Sequence, residues 1–225
     1  MPDSCRLVLA TRNAHKVVEL RQILADVLER TGLELVGLDG FEGLEDVVES
    51  GVTFAENALL KARYAAAATG LPALADDSGL AVDVLGGAPG VFSARWAGSR
   101  PGATGESKDE ANLRLLLEQV ADVPDEHRGA GFVCAAALVL PGDGPGTTGA
   151  EVVREGRCRG VLAHEPRGTN GFGYDPVLVR PDGRTTAEYS PEEKNAISHR
   201  GEAFRALAQD VADLLGADRR PGRGA

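Results

Sequence analysis

The sequence predicts an α/β fold built on a mixed β-sheet. Two observations carry this. Short apolar strand segments alternate with amphipathic helices through the first third of the chain. In the middle, a strongly apolar run from Gly131 to Leu140 is followed, across a Gly/Pro/Thr loop at Pro141 to Gly149, by more strand-forming sequence from Glu151 to Ala163. No internal repeat or linker interrupts the pattern. The expected organisation is one unit over residues 1–216, with an Arg/Gly/Pro-rich tail at 217–225 that is expected to be disordered.

With 225 residues, 43% hydrophobic and 26% charged, the chain has enough material for a sizeable core in a soluble protein. No apolar run approaches the roughly 20 residues needed to span a bilayer, and the N-terminus shows no secretion signal, so no membrane association is expected. Cys5, Cys134 and Cys158 are odd in number and widely spaced. They form no metal-ligand pattern and point to the reducing cytoplasm. A net charge of -10 argues against nucleic acid as a partner. It leaves room for a phosphate pocket, which needs only a few cations in one place. Of the 24 basic residues only Lys16, Lys61, Lys108 and Lys194 are lysines. Arg is a planar fork and Lys a compact point charge, so the rare lysines mark positions to inspect. Lys108 and Asn112 read as chance placements on solvated faces.

Leu7 to Ala10 is a strand, followed by the turn Thr11-Arg12-Asn13-Ala14-His15-Lys16 and one helix with the apolar face Leu20, Ile23, Leu24, Val27 and Leu28. Thr11 or Asn13 caps that helix. A helix start offers free N–H groups and the positive end of the helix dipole, and Lys16 adds a full charge, so the turn suits a phosphate as well as it suits an ordinary cap. Leu33 to Leu38 is a second strand, and Glu42 to Ser50 an acidic loop. Thr53 and Glu56 form a capping box for a helix ending near Thr69, with Gly70 after it. On that helix Asn57, Lys61 and Tyr64 fall on one face as a polar stripe where solvated Glu and Arg would be the ordinary filling.

The motif ALADDSGLAVDVLGG places Asp76 and Asp77 between the apolar runs Leu71 to Ala75 and Leu80 to Leu85. The pair has two readings: solvated acids closing a hairpin turn, or a metal and water site at a strand end. Further on, the only Trp, Trp96, reads as a core residue. Ser107 and Glu110 box the start of a helix that buries Leu113, Leu116, Leu117 and Val120. Glu155-Gly156 reads as a weak turn between two strands. The segment from Arg167 to Pro176 has three glycines in six residues and two aromatics, Phe172 and Tyr174, in a chain only 4% aromatic. That composition suits a slot for a flat ring. Ser190 and Glu193, with Pro191 at the first helical position, start the last helical region, which carries Lys194, His199 and Arg200 and then buries Phe204, Leu207, Val211 and Leu214.

Lysines, hard oxygen donors at Asp76, Asp77 and Glu49, and an aromatic slot describe a nucleoside triphosphate site with Mg²⁺, since no His/Cys set favours zinc. Five segments, LATRNAHK, TFAENALLKA, ALADDSGLAVDVLGGAPGVFSARWAG, GTNGFGYDP and EEKNAISHRG, resemble in order those of the inosine/xanthosine triphosphate (dITP/XTP) pyrophosphatase family. The resemblance covers nearly the whole chain apart from the tail. It implies a long twisted mixed sheet with flanking helices, two lobes around a nucleotide-binding cleft, a homodimer, and hydrolysis of ITP, dITP and XTP to monophosphate and pyrophosphate. It assigns Thr11, Arg12, Asn13, Ala14, His15 and Lys16 to the triphosphate, Asp77 to general base and metal ligand, Ser78 to substrate, and Glu49 to metal. Phe172, Gly173, Tyr174 and Asp175 match the nucleoside-binding turn, and Lys194, His199 and Arg200 the base and phosphate contacts. Lys61 joins the set as a second lysine on a neighbouring helix. Arg12 departs from the glycine common at its position, and its role stays open. Side chains alternate along a strand, so Asp76 and Asp77 should not point the same way unless the strand ends between them; the resemblance makes Asp77 the expected catalytic acid, with Asp76 a supporting or second metal contact. The alternatives are a Maf-like pyrophosphatase of modified nucleotides and a nucleotide-binding module without turnover.

Overall fold

A computed structural model describes residues 6–12, 14–98, 105–144 and 146–216. Cys5, Asn13 and the tail at 217–225 lie outside the described residues. The sheet has six strands: β1 (Arg6–Leu9), β2 (Glu34–Gly37), β3 (Ala73–Val82), β4 (Gly129–Pro141), β5 (Thr148–Leu162) and β6 (Leu178–Val179), in the order β2-β1-β3-β4-β5-β6. β1 runs parallel to both β2 and β3, and β5 antiparallel to β6, so the sheet is mixed as expected. Among the described residues six α-helices flank it: α1 (Ala14–Ile23), α2 (Ala25–Thr31), α3 (Phe54–Thr69), α4 (Lys108–Gln119), α5 (Pro191–Ile197) and α6 (His199–Gly216). Among the described residues no helix is long and apolar enough to cross a membrane.

The local rules hold where the signals are strong. The capping boxes at Thr53, Ser107 and Ser190 are all formed. Gly70 ends α3 in the left-handed conformation, a position without strain for glycine. Elsewhere tertiary context overrides local reading. The first helix is two helices, divided at Leu24 (φ -96°, ψ 5°); the hydrogen bonds Leu24 N to Leu20 O and Leu28 N to Leu24 O run across the division, and Leu20, Leu24 and Val27 are buried on both sides of it. The weak turn at Glu155-Gly156 does not form: β5 runs straight through it beside β4. The hairpin reading of Asp76-Asp77-Ser78-Gly79 also falls, since β3 is unbroken from Ala73 to Val82 between β1 and β4. Turn propensity yields here to the sheet: β3 continues past its last pairing with β1, at Leu74, with β4 as its other neighbour. Gly79 has a second reason to be glycine: a Cβ there would collide with the Ser93 hydroxyl, whose oxygen accepts from Leu80 N at 2.9 Å. Asn112 is no solvated residue. It is buried, and its Oδ1 accepts from Ala97 N at 2.7 Å. Trp96 is half-buried at the margin of the core and donates from Nε1 to Gln119 at 2.8 Å.

The chain divides into two compact units, one of Met1–Asp77, Ala135–Glu155 and Gly201–Ala225, the other of Ser78–Cys134 and Gly156–Arg200. In the first unit α3 packs on the sheet through small residues. Ala58, Ala62, Ala65 and Ala66 of α3 pack with Ala73 and Ala75 of β3 and Ala135 and Ala137 of β4. With methyl groups on both faces the helix can approach the strands closely, and this sets how near its polar stripe comes to the end of the Asp77 side chain. The second unit has a larger-grained core of Leu80, Val82, Leu116, Val120, Phe132, Tyr174 and Leu178.

Candidate functional site

In the first unit, four elements converge on the acid pair. The end of β1 leads through Thr11 to α1, and Lys16 in the first turn of α1 places Nζ 2.5 Å from Asp76 Oδ1. α3 contributes its stripe, and every member of it is used. Asn57, fully buried, donates from Nδ2 to Asp77 Oδ2 at 2.9 Å and accepts at Oδ1 from Gly51 N at 2.8 Å. Lys61 Nζ lies 2.6 Å from Glu49 Oε1 and 3.5 Å from Asp77 Oδ1. The Tyr64 hydroxyl oxygen accepts from Glu45 N at 2.9 Å. The loop after β2 brings Glu49. Adjacent residues on a strand face opposite ways, which is why Asp76 meets Lys16 while Asp77 meets Asn57 and Lys61. Thr11, Arg12, Lys16, Glu49, Lys61 and Asp76 line a cavity of about 370 Å³. Arg12 is engaged at its rim, with Nε donating to Asp46 Oδ1 at 3.2 Å and Nη2 donating to the Leu44 carbonyl oxygen. Asn13 lies outside the described residues, as do the side chains of Ala14 and His15.

The electrostatics of this group are uneven. Burial pushes the Asp77 carboxyl up. The Lys61 charge and the Asn57 hydrogen bond pull it back, Glu49 and Asp76 push it up again, and the net position is above the ordinary carboxylate range. For Lys61, burial pulls downward, but Asp77, Glu49 and Asp76 outweigh it, so its pKa is raised and it stays charged. One ammonium thus serves two carboxylates and leaves an excess of negative charge. Among the described residues no three His, Cys, Asp or Glu side chains gather into a ready-made metal cage. The donors present are hard carboxylate oxygens, Glu49 and Asp77, joined by the same lysine. Such a pair fits Mg²⁺, which takes one or two carboxylates and completes its shell with water and phosphate oxygens.

The second unit holds the other predicted residues. Gly171, at φ 79°, lets the turn pass where a Cβ would strike the Asp175 carboxylate. Asp175 is buried. Its Oδ2 accepts from Phe172 N at 2.9 Å and lies 2.5 Å from Lys194 Nζ, and its Oδ1 accepts from the Thr186 hydroxyl at 2.9 Å. Gly173 N donates to Asp109 Oδ2 at 3.1 Å. Phe172 is 68% exposed, with Lys194 Nζ 5.5 Å from its ring centre. The expected pair of rings does not form. Tyr174 is buried in the core and donates its hydroxyl to the Ser93 carbonyl at 3.0 Å, so Phe172 alone presents a face. An aromatic count does not distinguish a core tyrosine from a stacking one. Arg200 Nη2 donates to Ser78 Oγ at 3.3 Å, and His199 stacks on Phe132 with ring centres 5.0 Å apart.

Asn57 and Tyr64 are the residues that assignment by motif left out. Their signal was the stripe itself, polar residues on the same face as Lys61 of a helix whose remaining buried positions are alanines.

The chain is similar to known proteins over nearly its whole described length. The model of the Ham1 family matches residues 7–210. A curated relative from Streptomyces coelicolor, named dITP/XTP pyrophosphatase, is 61% identical over 215 residues, which covers 94% of this chain and 99% of that protein. Among solved structures, a HAM1 protein from Coxiella burnetii superimposes with a TM-score of 0.79 at 42% identity over 92% of this chain and 98% of its own. A nucleoside-triphosphatase, dITP/XTP pyrophosphatase, from Mycobacterium abscessus superimposes with a TM-score of 0.72 at 50% identity over 90% and 98%.

Proposed function

We propose that this chain, which belongs to the Ham1 family, hydrolyses dITP, XTP and ITP to the nucleoside monophosphate and pyrophosphate, clearing purine nucleotides that would otherwise enter DNA and RNA. The observation that carries this reading is the Asp77 cluster: a half-buried carboxylate, raised in pKa, held by an amide and a lysine beside a second carboxylate. Burial, with the Glu49 and Asp76 charges, raises its affinity for a proton, the property an acceptor of the water's proton needs.

Thr11, Asn13, Ala14, His15 and Lys16 take the triphosphate, with backbone N–H groups and the α1 dipole added to the Lys16 charge. The buried Asp76 carboxylate holds the Lys16 ammonium in place, so Asp76 serves that lysine. Glu49 and Asp77 would hold Mg²⁺, which when bound neutralises phosphate charge and eases departure of pyrophosphate. Asp77 orients the attacking water and receives its proton as the water oxygen bonds to the α-phosphorus. The bond from the α-phosphorus to the bridging oxygen breaks, and the electron pair leaves with pyrophosphate. Lys61, kept charged by its carboxylate partners, stabilises charge on the phosphates. Phe172 stacks on the base, Lys194 and Asp175 fix the stacking ring, and Ser78, His199 and Arg200 contact the nucleotide. The cytoplasm and a homodimer are the expected setting and state, on the resemblance to this family.

The test is pyrophosphate release from dITP, XTP, ITP, ATP and GTP with Mg²⁺ present. The reading expects the first three to be cleaved much faster. Equal rates across the panel overturn it, tight binding without turnover indicates a binding module, and preference for modified pyrimidines or methylated bases indicates a Maf-like enzyme.

A further inference from the structure

The segment from Leu44 to Val52, which carries Glu49, has neither helix nor strand of its own. Side chains from other elements fasten it. α3 supplies most of them: Tyr64 accepts from Glu45 N, Lys61 meets Glu49, Asn57 accepts from Gly51 N, and Glu56 Oε2 accepts from Val52 N at 2.6 Å. All four partners belong to α3. Arg12, from the turn after β1, supplies a further fastener. Its planar fork engages the Asp46 carboxylate and the Leu44 carbonyl together, one residue on either side of the Glu45 amide that Tyr64 holds. Lys could not reproduce that grip, because an ammonium is a point donor and a guanidinium presents several N–H groups in a fixed plane.

We infer that Arg12 is a positioning residue for the carboxylate loop: it clamps Leu44 and Asp46 so that Glu49 is held ready beside Lys61 and Asp77, and its guanidinium is committed to the loop. The role of Glu49 in this inference rests on the proposed function, but the clamp itself does not. Arg12 lines the cavity together with Glu45 and Asp46 of the loop, and its Nε and Nη2 donate to Asp46 and Leu44 of that loop. The segment also presents Val48 and Val52 to solvent at 81% and 80% exposure, so little apolar burial holds those positions in place.

The experiment uses the full chain without nucleotide, as wild type, Arg12→Ala and Arg12→Lys, with circular dichroism to establish that each is folded. First, a glutamate-specific protease is applied and fragments are followed by mass spectrometry. The clamp predicts that cleavage after Glu45 and Glu49 accelerates about threefold to tenfold in Arg12→Ala, on the scale of one or two lost hydrogen bonds, while cleavage after other glutamates is unchanged. Second, Mn²⁺ is titrated calorimetrically. The clamp predicts binding weaker by a similar factor in Arg12→Ala and only partly restored in Arg12→Lys. Unchanged loop cleavage overturns the inference. Unchanged Mn²⁺ affinity combined with a raised KM for nucleotide that Arg12→Lys restores also overturns it, and makes Arg12 a phosphate contact. Loosened cleavage in a protein that hydrolyses none of the triphosphates sustains the clamp and removes the proposed function instead.

Discussion

Lys61 and Lys194 are two of four lysines in an arginine-rich chain, and their surroundings differ in one respect. Lys61 is shared by Glu49 and Asp77, so negative charge exceeds positive around it. Lys194 meets a single buried carboxylate, Asp175, whose remaining acceptor positions take Thr186 and the Phe172 amide. The first arrangement is unbalanced, and burial, with the Glu49 and Asp76 charges added, holds the pKa of Asp77 up against the pull of Lys61. The second is satisfied and holds a turn in shape. In the first unit charge is left over for chemistry. In the second it is consumed in placing the Phe172 ring.

Removing the unbalanced acid is the strongest way to break this contrast. Asp77→Asn should lower kcat by about 10²- to 10⁴-fold, the range for losing a positioned proton acceptor, in steady-state pyrophosphate release. Stability should not fall with it. The raised pKa means that the folded state binds the Asp77 proton more tightly than the unfolded chain does. The stabilisation from this group is therefore full below the ordinary value of 3.8 and is lost as pH rises through the raised folded value. At neutral pH Asp77→Asn should melt at the same temperature as wild type or higher, and the difference should vanish in acid. Wild-type kcat should rise with pH through the same ionisation. A neutral-pH melting temperature well below wild type would show that Asp77 is mainly structural.

Breaking the balanced pair should do the reverse. Asp175→Ala leaves the Lys194 ammonium and the Phe172 amide without their buried acceptor, at a cost of about 3 kcal/mol in denaturant unfolding. Metal affinity in the same variant should be retained, since its contacts lie among Thr186, Lys194 and the Phe172 turn. A stability loss below about 1 kcal/mol would show that the pair contributes no more than a surface bridge. The smallest effect is expected at the exposed ring. Phe172→Leu removes base stacking worth about 1–3 kcal/mol, raising KM roughly fivefold or more with kcat nearly unchanged and no loss of stability. A kcat loss without a KM change would remove Phe172 from ground-state binding.

Much of this was legible in the order of residues because it depends on short-range physics. Capping boxes at Thr53, Ser107 and Ser190 need only residues three apart, and the α3 stripe needs only the helical period. The scarcity of lysine singled out Lys16, Lys61 and Lys194, all of which are paired with site carboxylates. The turn expected at Glu155-Gly156 and the hairpin reading open at Asp76-Asp77 fail for one reason. Turn propensity is a local quantity, and strands that arrive from distant sequence outweigh it. The Tyr174 error has another cause, since burial of an aromatic depends on what packs against it.

By itself the sequence determined the alternation of strands and helices, the helix starts, the family and the roster of chemical groups. These follow from periodicity, from neighbours a few residues apart, and from composition. Only the tertiary structure decided which carboxylate answers to which lysine, that Tyr174 turns into the core while Phe172 stays out, and that Arg12 grips the loop carrying Glu49. Each of those depends on the direction a side chain takes when residues 12 to 81 positions apart meet. Alternation along β3 sends Asp76 and Asp77 opposite ways, but the lysine each one meets is set by where α1 and α3 pack.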